Sequence, residues 1–406
     1  MRNVPRLRFK EFTDEWEEKN LSSLFERITE KNTENNDNVL TISAQYGLIS
    51  QTDFFNKSVA GKDLTKYYLL HRDDFAYNKS YSNGYPMGAI KRLTKYDKGI
   101  VSTLYICFKK RNNDNVSFLE QFFESKKIEK SIQDIAQEGA RNHGLLNIGV
   151  GDFFDITIKI PYFEEQEKIA DFLSNVDKKI SITEKKLNLF NEYKKGIMQK
   201  IFNQELRFKD ENGNDYPEWE ENKIGKFSKV QGGYAFKSEN FKEEGVPVIR
   251  ISNLSNSGFG IDKNNLVFYD EIENIDSFII NKGNLLIALS GATTGKTSIY
   301  DMPYKAYLNQ RVAVFKESEK FYYSFLVQFV KTTQFSNQLK NVIVAGAQPN
   351  ISTKDIENFV VNLPCFEEQQ KIADFLSAID TKIEKISDEL ENLKEFKKGL
   401  LQQMFV

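Results

Sequence analysis

Only 2 Cys and 2 His occur among 406 residues. Cys107 and Cys365 cannot build a disulfide framework, and with His71 and His143 they give no closed zinc site at ordinary ligand spacing. The absence of any apolar run of ~18 residues excludes a membrane-spanning helix. The opening MRNVPRLRFKEF is basic but leads into no apolar stretch, so no secretory signal is expected and a cytoplasmic chain is. Proline is scarce, with 8 residues and no Pro-Pro pair. A hydrophobic share of 40% beside 28% charged residues is enough for real cores, so bulk disorder is not expected.

Net charge is −2, which taken globally argues against a polyanionic partner, but the charge is uneven. Residues 41–112 carry a net +7 and residues 282–316 a net +4, while acid gathers around 11–36, 210–222 and 367–395. Basic faces on an acidic remainder suit a chain that holds a polyanion and also docks proteins.

An internal repeat is plain. PYFEEQEKIADFLSNVDKKISITEKKLNLFNEYKKGIMQKIF (161–202) aligns without gaps to PCFEEQQKIADFLSAIDTKIEKISDELENLKEFKKGLLQQMF (364–405), with about 22 identities in 42 positions at an offset of 203. It extends backward through Asn147/Asn350 and Asp152/Asp355. A second repeated piece opens each half: LRFKEFTDEWEEKNL (7–21) matches LRFKDENGNDYPEWEENKI (206–224), which has four extra residues, and the only two tryptophans, Trp16 and Trp219, fall at the same place. Between these ends, residues ~25–140 and ~228–340 do not align. The chain is a duplicated frame carrying two different inserts.

The frame segments read as long helices. Ile169, Leu173, Val176, Ile180, Thr183, Leu187, Phe190, Lys194, Ile197 and Ile201 follow a 4,3 spacing, and so do their counterparts 203 residues on. Eight and nine of the ten steps are apolar, and Lys stands at the same step in both, as Lys194 and Lys397. That is a coiled-coil seam over about five heptads. Pro161 and Pro364 followed by Glu164–Glu165 and Glu367–Glu368 suit helix N-termini. A 38-residue helix is roughly 57 Å long at ~1.5 Å per residue, which favours a spacer over a simple hairpin.

The inserts read as mixed α/β. Strands are expected within 99–110, 246–254, 284–289, 311–316 and 359–364, and helices over 116–136 and 320–339. The expected class is α+β: two globular mixed α/β domains separated by two long antiparallel coiled-coil helices, with a pseudo-twofold internal repeat. The expected boundaries are 1–160 (lead-in and first insert), 161–203 (first helix), 204–363 (lead-in and second insert) and 364–406 (second helix).

No catalytic constellation emerges. SGATTGKTS (290–298) is one residue short of a phosphate-binding loop, since only three residues separate Gly291 from Gly295. Without a Pro-Pro pair, the Asn/Asp-Pro-Pro-aromatic loop of amine-directed DNA methyltransferases is missing. His71 and His143 lie in polar segments with no nucleophile pattern beside them. A DNA-modifying enzyme in one chain, against which the missing Pro-Pro loop speaks, and a coiled-coil scaffold with no nucleic-acid role are the other readings open at this point.

What remains is binding chemistry. HRDDFAYNKSYSNGYPMGAIKR (71–92) offers Arg72, Tyr77, Asn78, Lys79, Ser80, Tyr81, Asn83, Tyr85, Lys91 and Arg92, and Arg141 and Asn142 follow in ARNHG. The second insert offers Arg250, Ser252 and Asn253, then Thr293, Thr294 and Lys296, then Asn309, Gln310 and Arg311, and finally Gln348 and Asn350. Amides pair with base edges, Lys and Arg with phosphates or guanine, and tyrosines stack.

Two unlike inserts on a duplicated helical frame resemble the specificity subunit of type I restriction-modification systems, and the resemblance covers nearly the whole chain. FEEQEKIADFLSNVDKKI and FEEQQKIADFLSAIDTKI look like that family's spacer helices. VPVIRISNLSNSG, NLLIALSGATTGKT and LNQRVAVFK look like its target-recognition sequences, as do ISAQYGLI, DFAYNKSYSNG and KGIVSTLYICFK in another subtype. The resemblance implies a non-catalytic subunit that reads a bipartite sequence in double-stranded DNA, one half-site per recognition domain, with the helices setting an unread spacer. Unlike inserts imply an asymmetric target. The implied partners are two modification (methyltransferase) subunits using S-adenosylmethionine, and restriction (motor/nuclease) subunits using ATP and Mg2+. The chain itself is expected to bind no cofactor and no metal.

Overall fold

The structure, a computed structural model, describes residues 4–55, 61, 63–82, 84–136, 146–255, 260–345 and 350–406. The chain forms two compact units. One comprises Met1–Lys185 with Ser387–Val406, the other Lys186–Ile386. Helices span Phe163–Phe202 and Phe366–Met404, so each begins in one unit and ends in the other.

Both units are built on the same frame. In the first, Glu17–Asn20 pairs antiparallel with Thr157–Ile160, Glu17 opposite Ile160. In the second, Glu220–Lys223 pairs with Val360–Leu363, Glu220 opposite Leu363, at the offset of 203 seen in the sequence. Behind each ribbon a buried carboxylate in the first turn of a long helix receives an arginine fork. Arg8 donates from Nε and Nη2 to Glu165, both at 2.7 Å, and Arg207 donates to Glu368 at 3.3 and 2.8 Å. The next residue, a buried glutamine, ties the helix start to the insert. Gln166 accepts from the Asn115 amide and donates to the Pro161 carbonyl; Gln369 accepts from the Tyr322 amide and donates to the Pro364 carbonyl. The polar groups freed where the chain enters the helix are thus satisfied inside the fold.

An aromatic ring from a helix C-terminus completes each core. Phe405 packs edge-on to Trp16 and against Phe118 and Phe122 in the first unit. Phe202 packs against Trp219, Phe325 and Phe329 in the second. The four extra residues of the second lead-in form a turn in which Asp210 accepts from the amides of Asn212 and Asn214.

Every expected seam residue is buried or half-buried. The two seam lysines are paired: Lys397 meets Asp177 at 2.6 Å, and Lys194 meets Asp380. Each aspartate also accepts from a glutamine of the neighbouring insert, Gln121 on Asp177 and Gln328 on Asp380. Because these contacts join the early part of one helix to the late part of the other within a unit, the helices run antiparallel there. The second cluster holds one more cation, Lys331, 3.2 Å from Asp380. Burial and then the neighbouring Lys194 push its pKa from 10.5 down to about 8.

The inserts share a sheet that sequence comparison did not reveal. In the first unit the antiparallel order is Phe25–Arg27, Ile106–Lys110, Phe75–Asn78, Ala89–Arg92; in the second it is Val230–Gly232, Val312–Phe315, Leu285–Ala288, Thr297–Ile299. The chain positions match strand for strand: first, fourth, second and third of each set. Three expected elements are each split in two. The strand within 99–110 becomes Lys98–Val101 and Ile106–Lys110. The helix over 116–136 becomes Val116–Glu124 and Glu129–Ile135, broken where Lys126 adopts a φ of 63°. The helix over 320–339 becomes Tyr323–Phe329 and Thr333–Ala345. No helix among the described residues is long and apolar enough to cross a membrane.

Trp219 Nε1 donates to the buried Glu368 at 2.9 Å, whereas Trp16 Nε1 has no partner among the described residues. Trp219→Phe is therefore expected to cost about 1.5–3 kcal/mol more than Trp16→Phe, the worth of a hydrogen bond to a charged group. Equal losses in calorimetric unfolding would contradict this. Lys331 gives a second expectation. Below pH 8 it is charged folded and unfolded, and its burial opposes folding in full; between about 8 and 10.5 the unfolded chain holds the extra proton, so stability rises with pH. Lys331→Met should raise the thermal stability of this unit at pH 7 by about 2–3 kcal/mol and flatten the rise between pH 8 and 10. A rise of undiminished slope in the variant would count against it.

Candidate nucleic-acid interface

In the first insert the strands Phe75–Asn78 and Ala89–Arg92 are joined by residues 79–88. The turn back into the second strand needs Gly88, whose φ is +77° and whose missing Cβ would lie 2.2 Å from the Asn78 carbonyl oxygen. Four side chains expected at the interface instead build this connection. Tyr77 is fully buried, stacked on Phe153 at 5.2 Å, and its hydroxyl donates to the Met87 carbonyl. Tyr85 donates to Glu124, and the buried Lys91 donates to both Glu124 (2.5 Å) and the Tyr85 hydroxyl. Lys126 lies over the Tyr85 ring and donates to the Gly84 carbonyl. Arg92 is turned onto Glu120, Asp73 and Ser117. Burial pushes the Tyr77 phenol above its ordinary pKa, and burial followed by the Glu124 charge does the same to Tyr85.

Tyr77 and Lys91 are buried supports of the hairpin, a correction to the reading that offered them as DNA-binding side chains, while Tyr85 and Arg92 are half-buried and paired within the fold. Arg72 is exposed but held by Asp97 and the Thr94 carbonyl. The side chains left facing outward are the half-exposed Lys79 and Ser80 and the strongly exposed Tyr81, at 64%. Asn78 orders them, its side chain accepting from the Ser80 amide. Asn83, Arg141 and Asn142 lie outside the described residues.

The second insert presents the matching connection, residues 289–296, between Leu285–Ala288 and Thr297–Ile299. Gly291 and Gly295 both have φ +82°, and a Cβ on Gly295 would lie 2.0 Å from the Leu339 side chain. Close packing and left-handed turns, rather than a phosphate nest, account for this glycine pattern. Leu289 donates its amide to the Arg311 carbonyl and accepts at its own carbonyl from Ile351. Ser290 bridges to Asn350. Antiparallel pairing of Leu285–Ala288 with Val312–Phe315 puts the end of one strand beside the start of the other. That brings Thr293, Thr294, Gln310, Arg311 and Asn350, far apart in sequence, to one end of the sheet.

Gln310, Arg311 and Asn350 are exposed there, and Lys296 is half-exposed. Thr294 donates to the Gly291 carbonyl. The buried hydroxyls of Ser290 and Thr293 have no hydrogen-bond partner among the described residues. Asn253 and Asn309 are corrections: both are buried. Asn253 caps a short turn, accepting from the Arg250 amide and donating to the Asp262 carbonyl. Asn309 accepts from the Arg311 amide. Arg250 is half-buried over Phe241 and donates to the Asn265 carbonyl. Ser252 is exposed beside it, and Gln348 lies outside the described residues.

The supports that sequence reasoning missed are Glu124 and Lys126, which hold the first hairpin. Isolated charges in a segment that reads as one helix give no sign of a role until the loop packs on them. Both cysteines are free thiols; burial pushes the Cys107 thiol up to about 12, far from the thiolate a nucleophile needs.

The comparisons with known proteins agree with this architecture. A family model described as the type I restriction modification DNA specificity domain matches twice, over residues 13–191 and 216–395. The chain is 30% identical over 325 residues to the MjaVIII type I restriction enzyme specificity subunit of Methanocaldococcus jannaschii, covering 75% of this chain and 73% of that one. It is 28% identical over 253 residues to the putative MjaX specificity subunit of the same organism, covering 61% of this chain and 57% of that one. Among solved structures, the S subunit of a type I restriction-modification system from M. genitalium shares the fold, with a TM-score of 0.62 at 18% identity over 99% of both chains.

Tyr77→Phe removes only the hydroxyl held by Met87 and should cost about 1 kcal/mol of stability. A stability in urea unchanged within error would show that the hydrogen bond does not support the hairpin.

Proposed function

Since the chain belongs to the type I restriction-modification DNA specificity family, with one specificity domain in each half, we propose that each domain reads one half of an asymmetric bipartite target in double-stranded DNA. The observation that carries this reading is the pair of identical sheet topologies bearing unlike loops at the same connection. Lys79, Ser80 and Tyr81 occupy it in one, and residues 290–296 with Gln310, Arg311 and Asn350 in the other. One scaffold holding two different polar surfaces is what two different half-sites require. Amides and Arg311 suit base edges in the major groove, and Lys79 and Lys296 suit phosphates.

The long helices serve as the spacer between half-sites. The chain catalyses nothing itself and recruits two methyltransferase subunits, which use S-adenosylmethionine, and through them motor/nuclease subunits, which use ATP and Mg2+. The support is the resemblance of the frame, together with the use of its ionisable groups in folding: the Glu165, Glu368, Asp177 and Asp380 carboxylates are each engaged by an arginine or lysine.

Methylome sequencing of cells carrying the complex tests this directly. Arg311→Ala should relax or weaken one half-site, by about 1–3 kcal/mol of discrimination, and leave the other intact. Exchange of residues ~20–160 should change only the other half-site. Alteration of both half-sites by either change, or absence of a bipartite motif in the wild type, would sink the proposal.

A further inference from the structure

Val312–Phe315 is flanked by Leu285–Ala288 on one side and by Val230–Gly232 on the other, antiparallel to both. Its start therefore has a second neighbour besides the 289–296 connection: the segment that leaves Val230–Gly232. Gly233 and Tyr234 of that segment close on the turn 309–311. The Tyr234 amide donates to the Leu308 carbonyl, the Gln310 amide to the Tyr234 carbonyl, and the Gly233 amide to the Val312 carbonyl. Glycine is required at 233, because a Cβ there would lie 2.1 Å from the Leu308 carbonyl oxygen and 2.3 Å from that of Asn309.

Asn309 locks the turn from inside. Its buried side chain accepts from the Arg311 amide, and its carbonyl accepts from the Val312 amide. A side chain bonded to the backbone two residues on is the Asx turn that asparagine favours. The Asn309 amide itself donates to the Ile249 carbonyl, so the amides of residues 309–312 are all engaged. The side chains of Gln310 and Arg311 stay exposed on this rigid turn, with no hydrogen bond or ion pair among the described residues.

Tyr234 stands beside them. Its ring is held edge-on by Phe236 at 5.0 Å and Phe278 at 5.5 Å, and Phe236 stacks in turn on the buried Tyr307. The residue is 39% exposed, and its hydroxyl has no partner among the described residues. A locked turn and a clamped ring thus offer a phenol, an amide and a guanidinium at one corner of the sheet. Phosphate affinity comes chiefly from cations, and of these three groups only Arg311 is charged. The phenol and the amide each donate and accept, and their fixed placement suits the donor and acceptor positions of a base edge.

We propose that Tyr234 is a specificity-determining residue of the second recognition domain, its hydroxyl meeting a base edge beside the one met by Arg311, and that Asn309 is the positioning residue that aims Arg311. This deepens the function proposed above and rests on it.

The test uses the full complex. Methylome sequencing gives the motif, binding to duplexes with single-base changes gives the discrimination, and the thermal midpoint of the full-length chain reports folding. Tyr234→Phe keeps the ring between its two phenylalanines and removes only the hydroxyl. It should lower discrimination at one base position by roughly 2- to 12-fold, the worth of one hydrogen bond, in the half-site that Arg311→Ala alters, and leave the other half-site intact. Asn309→Ala should relax the position read by Arg311, and Asn309→Asp, which keeps the Asx turn, should restore it. A lower thermal midpoint of Asn309→Ala with every base preference kept would make Asn309 merely structural and overturn its positioning role. A folded Tyr234→Phe chain that keeps the wild-type motif, or that binds all duplexes equally more weakly as loss of a phosphate contact would, overturns the role of Tyr234. Either result leaves the function standing if Arg311→Ala still alters one half-site. A wild type without a bipartite motif overturns that function and this assignment with it.

Discussion

A helix of about forty residues with an apolar stripe along its length is stable only when that stripe is covered from end to end. Within each unit, the start of one helix is covered by the antiparallel end of the other and by a globular core. Phe405 and Phe202 enter cores built around Trp16 and Trp219, so neither unit is complete without the end of a helix that began in the other. The ribbons, the arginine forks on Glu165 and Glu368, and the glutamines beside them hold the helix starts where this closure can occur.

The one polar step in each seam is a compromise between stability and definition. A lysine–aspartate pair removed from water repays little of its desolvation, and a leucine would pack more tightly. What the pair adds is identity. Asp177 and Asp380 each tie both helices and the neighbouring insert to one point, through Lys397 and Gln121 in one unit and through Lys194 and Gln328 in the other. An all-apolar seam would not distinguish one heptad from the next.

The frame was legible in the sequence because its signals are local and occur twice: the heptad spacing, the proline before the acidic pair, the tryptophan, and the lysine at one step. The inserts were legible as mixed α/β but not as carriers of one shared four-stranded sheet. A four-stranded antiparallel sheet asks of its strands only that they be apolar and β-branched, so two sequences can keep the order and lose all alignment. The interface was legible as segments and not as residues. Tyr77 and Tyr81 stand four apart in one Tyr-rich stretch, yet one is core and the other solvent-facing, and no periodicity separates them.

The sequence by itself determined the duplication, the long helices, their seam and the family resemblance, because each depends on residues near one another in the chain. Only the tertiary structure decided which polar groups are exposed and which are paired within the fold. Lys91, Arg92 and Tyr85 look like ligands of a polyanion until Glu124, Glu120 and Asp73 are brought against them. Gln310, Arg311 and Asn350 become one surface only because antiparallel pairing sets the ends of two strands side by side. Charge and hydrogen-bonding capacity are properties of a residue, but availability depends on what folds beside it.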